Sequence, residues 1–264
     1  MRPLWKGSIS FGLVNIPVRI FLATQRKSIK FNYLHRACHS PVQYRKWCPV
    51  CREQLEMDDI VRGYEYERDR YVILQEEDLE ALPLGPARTV EILDFIKLSE
   101  IEPIFYEKSY YLEPADGGQK AYALLYQAMR RSARIALGRV ILRSKESLAV
   151  VRPFGDGSLL METIFYPDEV RDISAVAYPR PGEVSISPRE MDMAVALIDR
   201  LSVPFDPGKY RDEYREALSA VIEAKLTGEQ TVEAPRPEVT RVADLLEALR
   251  ESVRAAEAQR AEGS

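Results

Sequence analysis

Along the first two-thirds of the chain, apolar and polar residues alternate with the period of two that marks β-strands. Ile9, Phe11 and Leu13 alternate with Ser8, Ser10 and Gly12, and residues 18–22 continue the pattern after Pro17. Runs rich in β-branched and aromatic residues predict further strands over 31–34, 60–66, 71–74, 90–97, 104–112, 135–142, 147–152 and 159–166. Turn signals separate several of them, at Pro83-Leu84-Gly85-Pro86, Asp116-Gly117-Gly118 and Gly155-Asp156-Gly157. Short strands in this number point to a barrel or a strongly curved sheet. One helix is expected among them, because Tyr122, Leu125, Tyr126 and Met129 recur at i, i+3, i+4 and i+7.

The last third has the helical period. Ser187-Pro188-Arg189-Glu190 is a capping box with proline at the first helical position. Met191, Ala194, Val195, Ile198 and Leu201 then mark one face. Pro204 and Pro207 interrupt the chain, and a second helix is predicted from about Lys209 to Thr227, ending at Gly228. Its stripe is Tyr214, Ala217, Leu218, Val221 and Ile222. Residues 229–240 hold Pro235 and Pro237 and read as a linker. A final helix over 241–264 carries Val242, Leu245, Leu246, Leu249 and Val253 on one side. That stripe either docks on a partner or folds back on its own domain. The expected organisation is a β core over 1–182, with a hairpin at about 30–62. A helical arm (183–228), the linker and the terminal helix follow.

Charge changes this picture. The chain has 264 residues and a formal net charge of −4, yet its first 52 residues contain ten Lys or Arg and no Asp or Glu. Residues 53–118 carry six basic and eighteen acidic residues, and residues 119–152 carry eight basic and one acidic. Two basic blocks in an acidic protein suggest surfaces held against a polyanion, since nearby carboxylates would weaken the attraction for phosphate. Candidate phosphate contacts are Arg19, Arg26, Lys27, Lys30, Arg36, Arg45 and Lys46 from the first block, and Arg130, Arg131 and Arg134 from the second. The last three also lie at the C-terminal end of the predicted helix, where cations suit the dipole. No run of about 18 apolar residues is present, so no membrane span is expected. The N-terminus lacks the apolar segment of a secretory leader, and a cytoplasmic location is expected.

Three cysteines do not make a disulfide framework. His35-Arg-Ala-Cys38 and Cys48-Pro-Val-Cys51 are instead two ligand pairs, each with two intervening residues. A hairpin can bring such knuckles around one ion. Three thiolates and one imidazole, from Cys38, Cys48, Cys51 and His35, suit a structural tetrahedral Zn²⁺. His39, beside Cys38, competes for the fourth position. Tyr44-Arg45-Lys46-Trp47 between the knuckles interleaves bases with aromatics, as nucleic-acid surfaces do. No catalytic constellation stands out. Both histidines are better placed for metal than for a triad, and no Walker A or dinucleotide fingerprint occurs.

Trp5-Lys6-Gly7-Ser8-Ile9-Ser10-Phe11-Gly12-Leu13-Val14-Asn15-Ile16-Pro17-Val18 closely resembles the opening of bacterial Ku proteins. Leu34-His35 with the basic hairpin, Phe205-Asp206-Pro207 with Tyr210 and Tyr214, and Val242-Ala243-Asp244-Leu245-Leu246-Glu247-Ala248-Leu249 resemble the same family in order along the chain. The resemblance implies a mainly β fold with a helical C-terminal third: a β-barrel with a strand bridge, forming half of a DNA-encircling ring. It also implies a homodimer that binds double-stranded DNA ends in non-homologous end joining, recruits DNA ligase D through the terminal helix, and is not an enzyme. The expected location is then the nucleoid. Two other classes fit the residues: an end-processing lyase acting at abasic sites, and a zinc-ribbon regulator that reads specific sequences. Many Ku relatives lack the complete ligand set, so zinc does not follow from the resemblance. This chain also ends in a mildly acidic helix where some relatives carry a Lys-rich tail.

Overall fold

Most of the alternating stretches fold as the strands they predict. The computed structural model describes residues 1–80, 88–142, 145–180 and 182–228. β1 (Trp5–Phe11) and β2 (Val14–Leu22) form a hairpin with Ile9 opposite Ile16, and Ile16, Val18 and Ile20 turn inward together. The chain then leaves the sheet. It passes through two small ribbons, β3 (Trp47–Cys48) with β4 (Glu53–Gln54) and β5 (Arg62–Glu67) with β6 (Arg70–Leu74), and a short helix α1 (Glu76–Glu80). It returns as β7 (Thr89–Ile96) and β8 (Tyr106–Pro114), crosses α2 (Gln119–Ser132), and finishes with β9 (Ile135–Leu142), β10 (Lys145–Phe154) and β11 (Ser158–Ile164). Seven strands close into a barrel in the order β1-β2-β8-β11-β10-β9-β7. Closure leaves no sheet edge to template aggregation.

The barrel is filled by Ile9, Ile16, Ile20, Val90, Val140, Val151, Leu159 and Met161, and α2 adds Tyr122, Leu125 and Met129 to the same cluster. The predicted helical stripe is therefore the face that enters the core. A second cluster of Ile135, Val150 and Ile164 lies on the other face of the sheet, covered by Ile101 and Phe105. β7 carries a bulge between Ile92 and Asp94, and Gly138 of β9 pairs with Ile92 beside it. A Cβ at Gly138 would collide with the Glu91 carbonyl oxygen, so the close approach requires glycine.

Residues 31–34 are not a strand, contrary to expectation. They form only a single bridge, between Leu34 and Pro41, because no neighbouring strand is present to accept a ladder. The chain divides into two units, Met1–Asp172 and Ile173–Ser264, the second described as far as Gly228. In that unit α3 (Pro188–Leu201) starts on the predicted box: Ser187 Oγ accepts from Glu190 N at 3.3 Å, and Glu190 Oε2 accepts from Ser187 N at 2.7 Å. α4 (Glu213–Thr227) begins four residues later than expected, because Asp212 is its cap and accepts from Arg215 N at 3.0 Å. Gly228, at φ 79°, ends it. The turn at 83–86, the 229–240 linker and the stripe from Val242 to Val253 lie outside the described residues. Among the described residues no helix is long and apolar enough to cross a membrane.

Candidate nucleic-acid interface and its His/Cys turns

Between β2 and β5 the chain has almost no interior. From Thr24 to Val61 only Ile29, Cys48 and Leu55 are even half-buried. Arg26, Lys27, Lys30 and Arg36 are exposed here, and none pairs with a carboxylate among the described residues. Phe31, Tyr33, Tyr44 and Trp47 are exposed between and beside them. Arg45 donates to Gln54 Oε1 at 3.1 Å, and Lys46 lies against the Met57 sulfur. Most of the first basic block is thus gathered on one solvated excursion. Arg19 is not: it lies in β2 and is held by Glu113 at 2.9 Å, from the neighbouring strand β8. Sequence could not show this, because the two residues are far apart along the chain.

The excursion contains two turns of the same construction. In the first, His39 N donates to His35 O at 2.7 Å, with His39 at φ 56°. In the second, Arg52 N donates to Cys48 O at 2.8 Å, with Arg52 at φ 59°. Each turn closes a short hairpin. Leu34 bridges Pro41 around the first, and Trp47 pairs with Gln54 around the second. Non-glycine residues seldom adopt a positive φ, so its recurrence at matching positions marks a shared geometry. His35 Nδ1 lies 3.0 Å from Cys38 Sγ, while Cys51 N donates to Cys48 Sγ at 3.4 Å. It is therefore His35 that stands beside Cys38, while His39 closes the turn with its backbone. Hydrogen bonding with Ser40, then with His35, holds the Cys38 thiol down at about 7. The backbone N–H of Cys51 lowers Cys48, and the neighbouring Cys48 sulfur raises Cys51. Each turn thus carries two candidate metal donors. Among the described residues no three His, Cys, Asp or Glu side chains form one group, so the fold presents the donors as two pairs.

The second basic block is partly neutralised. Arg139 pairs with Glu91 at 2.8 Å, Lys145 with Glu169 at 3.1 Å, and Arg152 with Glu162 at 2.7 Å. Arg130, Arg131 and Arg134, at the end of α2, pair with no carboxylate among the described residues. Arg130 lies over the Tyr126 ring, 5.8 Å from its centroid, and donates to the Tyr126 hydroxyl at 3.0 Å.

The family model described as "Ku70/Ku80 beta-barrel domain" matches residues 10–193. The chain is 52% identical, over 262 residues, to the non-homologous end joining protein Ku of Symbiobacterium thermophilum, covering 99% of this chain and 65% of that one. The chain thus spans about 65% of that relative's length. It is 47% identical to the protein of the same name from Heliobacterium modesticaldum, over 98% of this chain and 94% of that one. For the Bacillus subtilis protein of that name the identity is 43%, over 96% and 82% of the two chains.

Proposed function

Because this chain belongs to the Ku family, we propose that it binds the ends of double-stranded DNA as a homodimeric ring and acts in non-homologous end joining. The observation that carries this reading is the excursion over 24–61, where unpaired cations and exposed aromatics stand together with no core beneath them. Its bases suit phosphate oxygens and its rings suit sugar and base faces. Contacts to the backbone carry no sequence information, so binding is sequence-independent. Of the sequence candidates, Arg26, Lys27, Lys30, Arg36, Arg45 and Lys46 have the exposed placement this role needs; Arg19 is engaged with Glu113. Arg131, exposed at the end of α2, would extend the wall; there Arg130 is turned onto Tyr126 and Arg134 is half-buried.

Zn²⁺ is proposed on His35, Cys38, Cys48 and Cys51. A segment of this length with three half-buried residues has little hydrophobic stabilisation of its own, and small modules of that kind are commonly held by metal. All four positions would be filled by protein, so the ion supplies structure and no open coordination site. The homodimer is supported by faces that no described residue of their own unit covers. Met191, Val195, Ile198 and Leu201 are exposed along α3, and Tyr64, Tyr71, Val72 and Ile73 are exposed on the β5–β6 ribbon. A two-stranded ribbon is marginal alone, and a second copy is the proposed cover. Recruitment of DNA ligase D through the 242–253 stripe completes the reading, with the protein non-catalytic, cytoplasmic and nucleoid-associated.

A closed ring loads only from a free end. The purified protein should bind linear duplex far more tightly than covalently closed circular duplex of the same sequence, in electrophoretic or filter-binding titrations. Its log affinity should fall with log salt at a slope of roughly −0.9 per phosphate neutralised. Equal affinity for the two forms would overturn the ring.

A further inference from the structure

Two cavities meet at the C-terminal end of α2. The larger, about 530 Å³, is lined by Phe11, Phe95, Leu124 and Ala128. The smaller, about 300 Å³, lies among Arg130, Arg152, Leu98 and Ile135. Met129 and Arg134 line both, so the two form one continuous surface. Leu124 is 66% exposed and stands outside the helical stripe that enters the barrel. Phe95 is 44% exposed and meets Phe11 edge-on, with ring centroids 6.4 Å apart.

The charges around the cleft are unequal. Glu162 already compensates Arg152, and Arg130 is turned onto Tyr126. Arg134 is half-buried, stands between the apolar groove and the cleft, and has no carboxylate partner among the described residues. A guanidinium in that position offers planar, bidentate donors to an incoming carboxylate, and partial burial strengthens the pairing.

A nucleic-acid backbone satisfies only half of this surface. It could reach the arginines, but it has no aliphatic or aromatic group to fill a groove walled by Phe11, Phe95 and Leu124. An acidic peptide with a large apolar side chain fills both parts. The apolar group occupies the groove, and a neighbouring Asp or Glu meets Arg134, with Arg130 beside it. Interfaces of this kind concentrate their affinity in one buried anchor ringed by polar contacts. The geometry points to a docking site for an acidic, hydrophobic peptide segment of a partner protein, at the end of α2 and apart from the 24–61 excursion.

The test pans a displayed random peptide library against the full-length protein and measures the enriched peptides, synthesised with a fluorophore, by anisotropy. Peptides combining Asp or Glu with Leu, Ile, Phe or Trp should emerge. Leu124→Asp, an exposed change that should leave folding and linear-duplex affinity intact, should weaken them at least about tenfold, the loss of one anchor. Ala128→Glu should act in the same direction, and Arg134→Ala should weaken them and flatten their salt dependence. Three results would overturn the proposal. One is enrichment without acidic residues, or peptide affinity indifferent to Leu124→Asp and Ala128→Glu. A second is loss of DNA affinity in Arg134→Ala with peptide affinity unchanged, which gives this face to DNA. The third is a change of sedimenting mass in Leu124→Asp, which gives it to a second copy. End binding is measured separately, so failure here leaves the end-joining reading standing.

Discussion

The hydroxyl of Tyr122 donates to the Leu112 carbonyl at 2.7 Å and accepts from Leu159 N at 2.6 Å. Leu112 and Leu159 face each other across β8 and β11, so one side chain from α2 joins the strands where their ladder ends. Burial raises the Tyr122 pKa, which keeps the phenol neutral and able to donate. Tyr122→Phe keeps the ring in the core but leaves a buried N–H and a buried carbonyl without this partner. The loss should be about 1–3 kcal/mol, read as a lower urea midpoint at unchanged slope; an unshifted midpoint would mean that water replaces the hydroxyl. The helical period identifies Tyr122 as a core residue. It could not reveal the hydrogen bonds, whose partners lie 10 and 37 residues away on strands that only the barrel brings together. Arg19 illustrates the same limit: its charge is legible, but its pairing with Glu113 is set by strand order.

At the scale of elements, the His/Cys spacings read from the sequence fall in two matching turns, because such spacing is local. His35 and Cys38, like Cys48 and Cys51, sit within one turn, and five residues suffice to build that turn. If zinc joins them, purified protein should carry about one Zn²⁺ per chain, the stoichiometry of a single tetrahedral site. Cys48→Ser should lose that metal. Amide exchange should then speed up across 24–61 while the melting of the barrel barely moves, because the excursion shares no core residue with it. Full metal content in Cys48→Ser, by elemental analysis, would remove this assignment. The segment over 31–34 shows where local pattern misleads. Phe31 and Tyr33 have strand propensity, but a strand needs a neighbour, and here the chain runs out over the solvated excursion. α4 shows a smaller effect. Helical periodicity reached back to Lys209, but Asp212 supplies the cap that fixes the first turn.

The whole molecule presents several apolar faces that its described residues leave open. Those of α3 and of the β5–β6 ribbon are the faces that a second copy would cover in the proposed homodimer. Ile198→Asp combined with Leu201→Asp should therefore shift the sedimenting species from dimer to monomer and weaken linear-duplex binding with it, because half a ring cannot encircle an end. A persistent dimer in analytical ultracentrifugation would exclude the α3 face. The charge blocks operate at this scale too. Sequence separated an acid-free opening from an acidic middle, and the structure sorted the cations further. Arg139, Lys145 and Arg152 are spent on carboxylates, while Arg26, Lys27, Lys30 and Arg36 are left exposed.

By itself the sequence determined what depends on near neighbours along the chain: most strand and helix positions, the Ser187 cap, the two His/Cys turns and the acid-free opening. Periodicity, capping and knuckle spacing all act within a few residues. Only the tertiary structure decided which strands adjoin, and so which arginines are neutralised, where the Tyr122 hydroxyl bonds, and that an apolar groove meets Arg134 at the end of α2. Those outcomes rest on contacts between residues ten or more positions apart, which strand pairing and barrel closure set and no local pattern encodes.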